Sequence, residues 1–393
     1  MPELPSLLTR RVEQILPSAE AFAKVVAERK IRLYLGIDPT SNQLHLGHAV
    51  VLRKLQEFAE AGHDVILLIG NGTVKIGDPS GKDKTRPVLT DEVIEQNFQT
   101  WKEQASKIVD FDKITIRYNA EWLDALDFPQ MVKLLSKFTV QQLLERDMFQ
   151  DRLKNGQPIH MHEILYPIMQ GYDAVVLDVD LELGGNDQLF NMMVGRQLQA
   201  EMNNRNKFVL TVPLLVGSDG RKMGKSLGNF IPLNDTPEDM YGKLMSITDS
   251  VMGDYLRLLT DIPLEEVEAL EAEVGSGKLH PMELKKRIAA EIVTWLHDAE
   301  GAARGAELFS RTVQNKELPS EMPEIRVESG EPSVLDLVLL SGTVGSKNEA
   351  RRLIEQGGVE LEGEKLFDAY EIVPLAATQV LRVGKRNYFR LVR

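Results

Sequence analysis

Apolar and polar residues alternate along the chain in blocks that predict strands followed by helices. Residues 31–37 (IRLYLGI) are an apolar run typical of a buried strand. After a polar turn, apolar residues recur at helical spacing between Val51 and Ala59, and Gly62 marks the end of that helix. Residues 64–70 (DVILLIG) are a second buried strand. A strand, a helix and a strand at this spacing predict a parallel sheet.

The rest of the pattern predicts an α/β fold with further domains attached. Residues 113–118 and 208–216 are additional strand-like runs, which favours a Rossmann-like, doubly wound parallel sheet with helices between its strands. After the sheet, the pattern is helical to about residue 315. Residues 315–332 are rich in Pro, Glu and Ser, which is typical of a linker. The predicted organisation is a Rossmann-like α/β domain at 1–230, an α-helical domain at 231–317, a linker at 318–332 and a small α+β module at 333–393.

Composition narrows the class of protein. At 393 residues the chain exceeds the usual size of one domain. The absence of cysteine excludes structural disulfides, cysteine-based zinc sites and a cysteine nucleophile. The N-terminus lacks an apolar segment of signal-peptide length, and no run approaches the roughly 18 apolar residues of a membrane span. A cytoplasmic protein without a membrane segment is therefore predicted.

The distribution of charge is uneven. A formal net charge of −13 argues against indiscriminate binding to nucleic acid, since phosphate contacts require Lys and Arg. Residues 381–393 (LRVGKRNYFRLVR) nevertheless carry several basic side chains and no acidic one. From charge alone, this tail is either a local contact for an anionic partner or a solvated strand end.

His45 and His48 lie three residues apart where the first strand gives way to a helix. Zinc proteases place their histidines four apart with a neighbouring Glu, so a metal site is disfavoured. A role as catalytic base lacks an obvious nucleophile nearby, and a role as plain helix-cap residues stays open. Phosphate binding fits better, because a helix N-terminus already favours anions and Gly47 lets a flat ligand lie against the backbone.

Two glycine-rich basic loops follow predicted strands. Residues 70–87 do not form a P-loop, because Ile76 and Asp83 occupy the places of its first Gly and its Ser or Thr. Both this loop and residues 217–229 are either solvated surface loops or covers for a polyphosphate. The basic residues they offer are Lys82, Lys84, Arg86, Lys222 and Lys225.

A polar stripe interrupts an apolar helix. Tyr166, Gln170 and Asp173 are spaced to lie on one helix face, which either meets solvent or lines a pocket. Asp187 and Gln188 follow a short strand soon afterwards. Because the carboxyl ends of strands in such sheets bind ligands, these groups predict a nucleotide site beside a small polar pocket.

The order of these motifs resembles a known family. HLGH (45–48) and KMGKS (222–226) resemble the paired signatures of class I aminoacyl-tRNA synthetases. Tyr34 with GIDPT, then GDPSGK (77–82), YxxxQxxD and GGNDQ (184–188) resemble the bacterial tyrosyl-tRNA synthetases, and residues 333–393 resemble an S4-type RNA-binding domain. The likeness is strong over residues 31–230 and weak in the helical middle.

The resemblance implies a two-step reaction and a set of residues for it. Tyrosine would attack the α-phosphate of ATP, and the resulting tyrosyl-adenylate would pass its tyrosyl group to the terminal adenosine of tRNA(Tyr). Residues implied to act on the phosphates are His45, His48, Lys82, Arg86, Lys222 and Lys225. Residues implied to hold tyrosine are Tyr34 and Asp173 at the phenol, Asp78, Tyr166 and Gln170 at the amino group, and Gln188 towards the carboxylate.

The resemblance also implies contacts with ATP, tRNA and a second subunit. Residues implied at ATP are Gly36, Asp38, Thr40, Gly47, Gly185, Asp187 and Lys225, with Asp38 and Asp187 near the amino group and ribose. Residues implied at tRNA are Lys347, Arg351, Arg352, Lys385 and Arg386. Mg²⁺ would accompany ATP, the protein would be a homodimer, and no zinc or organic cofactor is expected.

Some positions depart from the family pattern, and other functions stay open. Gly224 replaces the middle Ser of the usual KMSKS loop, which removes a hydroxyl contact, and Leu35 and Val51 offer ATP no polar side chain. A tryptophan-specific synthetase, a non-catalytic RNA-binding derivative and a small-molecule nucleotidyltransferase are the alternatives. Tyr34 with Asp173, the retained motif residues and the RNA-binding-like tail respectively disfavour them.

Overall fold

A computed structural model describes residues 5–40, 42–79, 90–224, 227–314, 322–327, 331–376, 378–384 and 387–392. The chain divides into two compact units, Met1–Ala306 and Glu307–Arg393. The predicted site residues that lie outside the described residues are Lys82, Arg86, Lys225, Lys385 and Arg386. Within the part that is described, no helix combines the length and apolar character needed to cross a membrane.

A six-stranded sheet forms the centre of the first unit, and its strands meet in the order β1-β6-β5-β2-β3-β4. All neighbours are parallel except β1, which runs antiparallel to β6. The predicted parallel sheet is thus confirmed, with one short antiparallel edge strand that the sequence analysis missed. The strands are β1 Gln14–Leu16, β2 Arg32–Ile37, β3 Asp64–Ile69, β4 Ile114–Tyr118, β5 Leu181–Gly185 and β6 Phe208–Val212.

Helices connect the strands and continue beyond the sheet. Those between strands are α1 Ala19–Glu28, α2 Leu46–Glu60, α3 Asp91–Ala105, α4 Ala120–Leu123, α5 Phe128–Leu135, α6 Val140–Leu144, α7 Asp147–Lys154, α8 Met161–Leu177 and α9 Leu189–Asn203. Those that follow the sheet are α10 Pro237–Met245, α11 Met252–Leu259, α12 Leu264–Gly275, α13 Pro281–Leu296 and α14 Ala299–Phe309. Side-chain caps at Ser18, Thr90 and Thr236 satisfy free N–H groups where their helices begin.

Helices α8 and α9 pack backbone to backbone. A Cβ atom on Gly171 would lie 3.0 Å from the backbone nitrogen of Gly195 and 3.1 Å from its Cα atom. Since larger residues would separate the helices, these glycines hold the polar face of α8 and the first turns of α9 over the same part of the sheet.

A buried carboxylate anchors the amino end of β5. Asp180 is 4% exposed and accepts hydrogen bonds from the Arg29 guanidinium and the Arg32 backbone N–H, and it forms an ion pair with Arg205. Burial alone would raise the pKa of Asp180, but these donors lower it to about 2. This ion-pair cluster lies away from the carboxyl ends of the strands, so it stabilises the sheet without entering the cleft.

The part of the second unit that the structure describes contains a five-stranded sheet, with helices between its first two strands in the chain. Its strand order is β7-β11-β10-β8-β9, and β7 is the strand that runs parallel to its neighbour. The predicted linker contains β7, because this edge strand finds its partner, β11, only in the folded unit. The elements are β7 Glu324–Arg326, α15 Val334–Leu340, α16 Lys347–Glu355, β8 Val359–Leu361, β9 Glu364–Leu366, β10 Thr378–Val383 and β11 Asn387–Val392.

Candidate active site

The loops after β2 and β3 converge on the carboxylate of Asp38. One oxygen accepts a hydrogen bond from the Thr73 hydroxyl at 2.8 Å, and the other accepts one from the Tyr166 hydroxyl at 2.8 Å. A Cβ atom on Gly70 would lie 2.0 Å from Asp38 Oδ1, so only glycine fits at the end of β3. The nearby backbone N–H of Thr40 donates to the Asp38 carbonyl at 2.7 Å.

Asp173 lies on α8 and is only 2% exposed. The region between Asp173, Asp38, Asp78 and the first turn of α2 is called the cleft below. Its two oxygens accept hydrogen bonds from Trp122 Nε1 at 2.8 Å and Asn119 Nδ2 at 3.1 Å. Burial raises the pKa of Asp173 well above its ordinary value, although both donors act in the opposite direction. Asn119 also donates to Thr73 Oγ1, so the orientation of the carboxylate depends on the loop after β3.

Tyr34 is fully buried beside this carboxylate. It pairs in register with Glu182 on the neighbouring strand, so both side chains project from the same face of the sheet. Its hydroxyl group lacks a well-formed hydrogen bond to any residue that the structure describes. Burial, followed by the carboxylates of Glu182 and Asp173, raises the pKa of Tyr34 well above its ordinary value.

A series of amide side chains crosses the cleft towards Asp78. Gln170 Oε1 accepts from Asn191 Nδ2 at 3.0 Å, and the same nitrogen donates to Gln188 Oε1 at 3.0 Å. Gln188 Nε2 in turn donates to Asp78 Oδ2 at 2.9 Å. The amide orientations are therefore coupled from one side of the cleft to the other.

His45 and His48 occupy the first turn of α2 with their ring centroids 4.0 Å apart. His45 Nδ1 accepts from the Gly47 backbone N–H, and His48 Nδ1 accepts from the His45 backbone N–H, each at 3.2 Å. In a neutral imidazole the other nitrogen then carries the hydrogen. Each ring therefore has Nε2–H as its donor, at the end of a helix that already attracts anions.

Basic side chains approach the cleft from two further segments. Burial, followed by the Asp78 carboxylate, raises the pKa of Asp187, and the nearby charge of Lys222 opposes that rise. Asn229 donates to the Lys222 carbonyl at 3.1 Å and so holds the loop in shape. Arg146 is 9% exposed; burial lowers its pKa, and the charge of Asp78 opposes that shift.

The chain resembles known proteins over nearly its whole length. Residues 26–314 match the family described as tRNA synthetases class I (W and Y), and residues 314–391 match the tyrosine–tRNA ligase SYY-like C-terminal domain. A tyrosine–tRNA ligase of Thermotoga maritima is 46% identical over 386 residues, which cover 98% of this chain and 96% of the relative. Tyrosine–tRNA ligase 2 of Vibrio cholerae is 45% identical to this chain, and the match covers 98% of this chain and 97% of that relative.

The chain belongs to the class I tyrosine–tRNA ligases. The tyrosyl-tRNA synthetase of Archaeoglobus fulgidus, solved with L-tyrosine, matches the structure with a TM-score of 0.62 at 24% identity, over 76% of this chain and 98% of that one. At this level of identity the match concerns the fold, which agrees with the predicted α/β class. Class I synthetases use ATP.

Among the described residues, those predicted at tyrosine and ATP lie around the carboxyl edge of the sheet, and the structure adds others. Gly36 and Gly185 lie at the ends of β2 and β5, and Gly47 lies in the first turn of α2, all beside the residues described above. The sequence did not predict the residues that contact the polar side chains of the cleft. They are Thr73, Asn119, Trp122, Arg146, Glu182, Asn191 and Lys207. Asn119 carried a usable signal, because it directly follows β4 at the ligand-binding edge of the sheet.

Proposed function

We propose that this chain activates L-tyrosine with ATP, releasing pyrophosphate, and transfers the tyrosyl group from tyrosyl-adenylate to the terminal adenosine of tRNA(Tyr). The observation that carries the proposal is the buried Asp173 carboxylate, held by Asn119 and Trp122 next to the Tyr34 hydroxyl. An acceptor built for a hydroxyl group is left unpaired by phenylalanine, which makes rejection of that amino acid strong.

A second set of acceptors is proposed for the amino group of tyrosine. Asp78, the Tyr166 hydroxyl and the Gln170 amide oxygen are proposed for this role, and their hydrogen bonds to Gln188, Asp38 and Asn191 support it. Gln188, which is hydrogen-bonded to Asp78 and Asn191, would orient the carboxylate that attacks ATP. Holding that carboxylate in line with the α-phosphate is the main requirement of the chemistry.

The phosphates of ATP would lie at the first turn of α2. There the Nε2–H groups of His45 and His48 would stabilise the charge that develops on the leaving pyrophosphate. Lys222 would approach from its loop, and Lys82, Arg86 and Lys225 are proposed for the same task. Mg²⁺ is proposed as part of the substrate, bound to the triphosphate; the described residues hold no cluster of three or more His, Asp or Glu that could hold a metal ion.

Replacing His45 with alanine is expected to lower kcat for ATP–pyrophosphate exchange by about 10- to 100-fold, because one preorganised donor to the transition state is lost. The KM for tyrosine should change by less than about threefold, since the ring does not contact the amino acid. Steady-state exchange at varied tyrosine and ATP measures both constants. His45→Asn, which keeps an N-capping side chain, separates loss of the donor from loss of the cap. A normal kcat in both variants would contradict the role.

The experiment that tests the function as a whole is pyrophosphate exchange with each of the twenty amino acids in turn. Exchange with tyrosine alone is the expected result. Exchange with tryptophan would keep the mechanism but overturn the assignment of Asp173. No exchange with any amino acid would favour a non-catalytic RNA-binding protein.

The second unit is proposed to dock tRNA(Tyr), and the first to form a homodimer. Basic side chains line α16, where Arg351 lies 5.2 Å from the centre of the Tyr370 ring, and the proposed tRNA contacts are Lys347, Arg351, Arg352, Lys385 and Arg386.

Large apolar side chains are exposed between α5 and the start of α8, with Phe128 80% and Met161 70% exposed. Such a concentration is typical of an interface, and sedimentation of Met161→Asp against the wild type tests it. A cytoplasmic location stays a prediction.

A further inference from the structure

A buried ion pair lies beneath the cleft in residues that the proposed mechanism does not use. Lys207 is 0% exposed and Glu182 is 2% exposed, and the Lys207 ammonium donates to Glu182 Oε2. Glu182 lies on β5 and Lys207 immediately precedes β6. Because the desolvation of two charges offsets much of their attraction, a pair of this kind explains little stability by itself.

The second oxygen of Glu182 accepts a hydrogen bond from Gln170, a residue of the proposed tyrosine site. Glu182 Oε1 accepts from Gln170 Nε2 at 3.1 Å, while Gln170 Oε1 accepts from Asn191 Nδ2 at 3.0 Å. An ionised carboxylate has only acceptors, so the nitrogen of the Gln170 amide must face it. A reversed amide would set oxygen against oxygen at Glu182 and nitrogen against nitrogen at Asn191.

The backbone around the pair has no spare room. A Cβ atom on Gly195 would lie 2.6 Å from Lys207 Nζ and 3.2 Å from Glu182 Oε2. The same glycine permits the close contact of α9 with α8, the helix that carries Gln170. The ion pair, the amide and the helix contact therefore form one packed assembly.

We propose that Glu182 and Lys207 are positioning residues for the amino group of the amino-acid substrate. Glu182 orients the Gln170 amide so that its oxygen accepts from the substrate ammonium, and Lys207 neutralises Glu182. The orientation then passes through Asn191 and Gln188 to Asp78, the other proposed acceptor. The inference rests on the proposed activation of tyrosine and assigns a role that the motifs do not.

The first test is Glu182→Gln in the full-length chain. Glutamine keeps the shape but can turn a donor towards Gln170, so the KM for tyrosine in pyrophosphate exchange should rise by about tenfold or more. The KM for ATP should change by less than about twofold, since the pair lies away from the phosphates. Asp180→Asn is the matched control, because it removes a buried carboxylate from an ion-pair cluster at the start of the same strand but outside the cleft. It should leave both constants unchanged.

A ligand without the amino group separates positioning from a structural role. Inhibition by 3-(4-hydroxyphenyl)propanoate, which is tyrosine without its amino group, should be the same for Glu182→Gln and the wild type. A general distortion of the cleft would weaken the binding of both ligands equally and would overturn the proposal.

The double variant Glu182→Leu/Lys207→Met gives a second measurement if Glu182→Gln does not fold, since apolar pairs often replace buried ion pairs without loss of stability. A folded double variant should still bind tyrosine about tenfold more weakly, because Gln170 has lost its acceptor. A wild-type KM for tyrosine in this variant or in Glu182→Gln would refute the positioning role alone. A wild type without tyrosine-dependent exchange would overturn the proposed function as well.

Discussion

Replacing Asp173 with alanine is expected to lower kcat/KM for tyrosine by about 100-fold or more, because several buried hydrogen-bonding groups lose their partner. These groups are Trp122 Nε1, Asn119 Nδ2 and the phenol hydroxyl of the substrate. The KM for ATP should change by less than about twofold, since Asp173 is proposed to contact the phenol and not the nucleotide. Pyrophosphate exchange at varied tyrosine and ATP measures both. Near-normal tyrosine kinetics would refute the assignment.

Asp173→Asn is the control that keeps the volume of the side chain. Because asparagine does not titrate, comparison with this variant isolates the pH dependence of stability that Asp173 gives the wild type. The raised pKa means that the folded protein keeps a proton that the unfolded chain has already released. This contribution to stability is present in full below the ordinary pKa and is lost as the pH rises through the raised value. Chemical denaturation of the wild type should therefore show falling stability relative to Asp173→Asn as the pH increases above about 4. The same pH profile for both proteins would contradict the burial of an ionisable group here.

Ending the chain at residue 314 is expected to lower the rate of tRNA charging by about 100-fold or more, because the basic side chains that would contact phosphates are lost. Pyrophosphate exchange should stay within about twofold of the wild type, since the cleft lies wholly in the first unit. The structure decides the cut, because β7 and the buried Val327 belong to the second unit. A cut at residue 332 would leave that strand without its partner.

The full-length variant Lys347→Ala/Arg351→Ala/Arg352→Ala gives the matched control for the truncation. If each side chain contacts one phosphate, the slope of log affinity against log salt should fall by about 3 in magnitude. Filter binding of tRNA(Tyr) between low and high salt measures the slope. Equal tRNA charging by the truncated and intact proteins, or an unchanged salt slope, would contradict the role of this unit.

The local pattern of the sequence was sufficient to predict most strands of the first sheet, and with them the carboxyl edge at which sheets of this kind bind ligands. The apolar runs 31–37 and 64–70 flank one predicted helix, and this strand–helix–strand order predicts the parallel pair that β2 and β3 form. Two edge strands, β1 and β7, escaped because each has only three residues and pairs with a strand distant in sequence. The boundaries predicted at 230 and 333 stay predictions.

What the sequence by itself determined was which residue types occur at which spacing: the histidine pair at a helix start, the polar stripe on α8 and the family order of motifs. Such signals are local, and a local signal can identify a side chain but not its partner. Only the tertiary structure decided that Asp173 faces Asn119 and Trp122, and that Glu182 meets Lys207 and Gln170. These contacts join strands and helices far apart in the chain, and the burial that makes them strong exists only after folding.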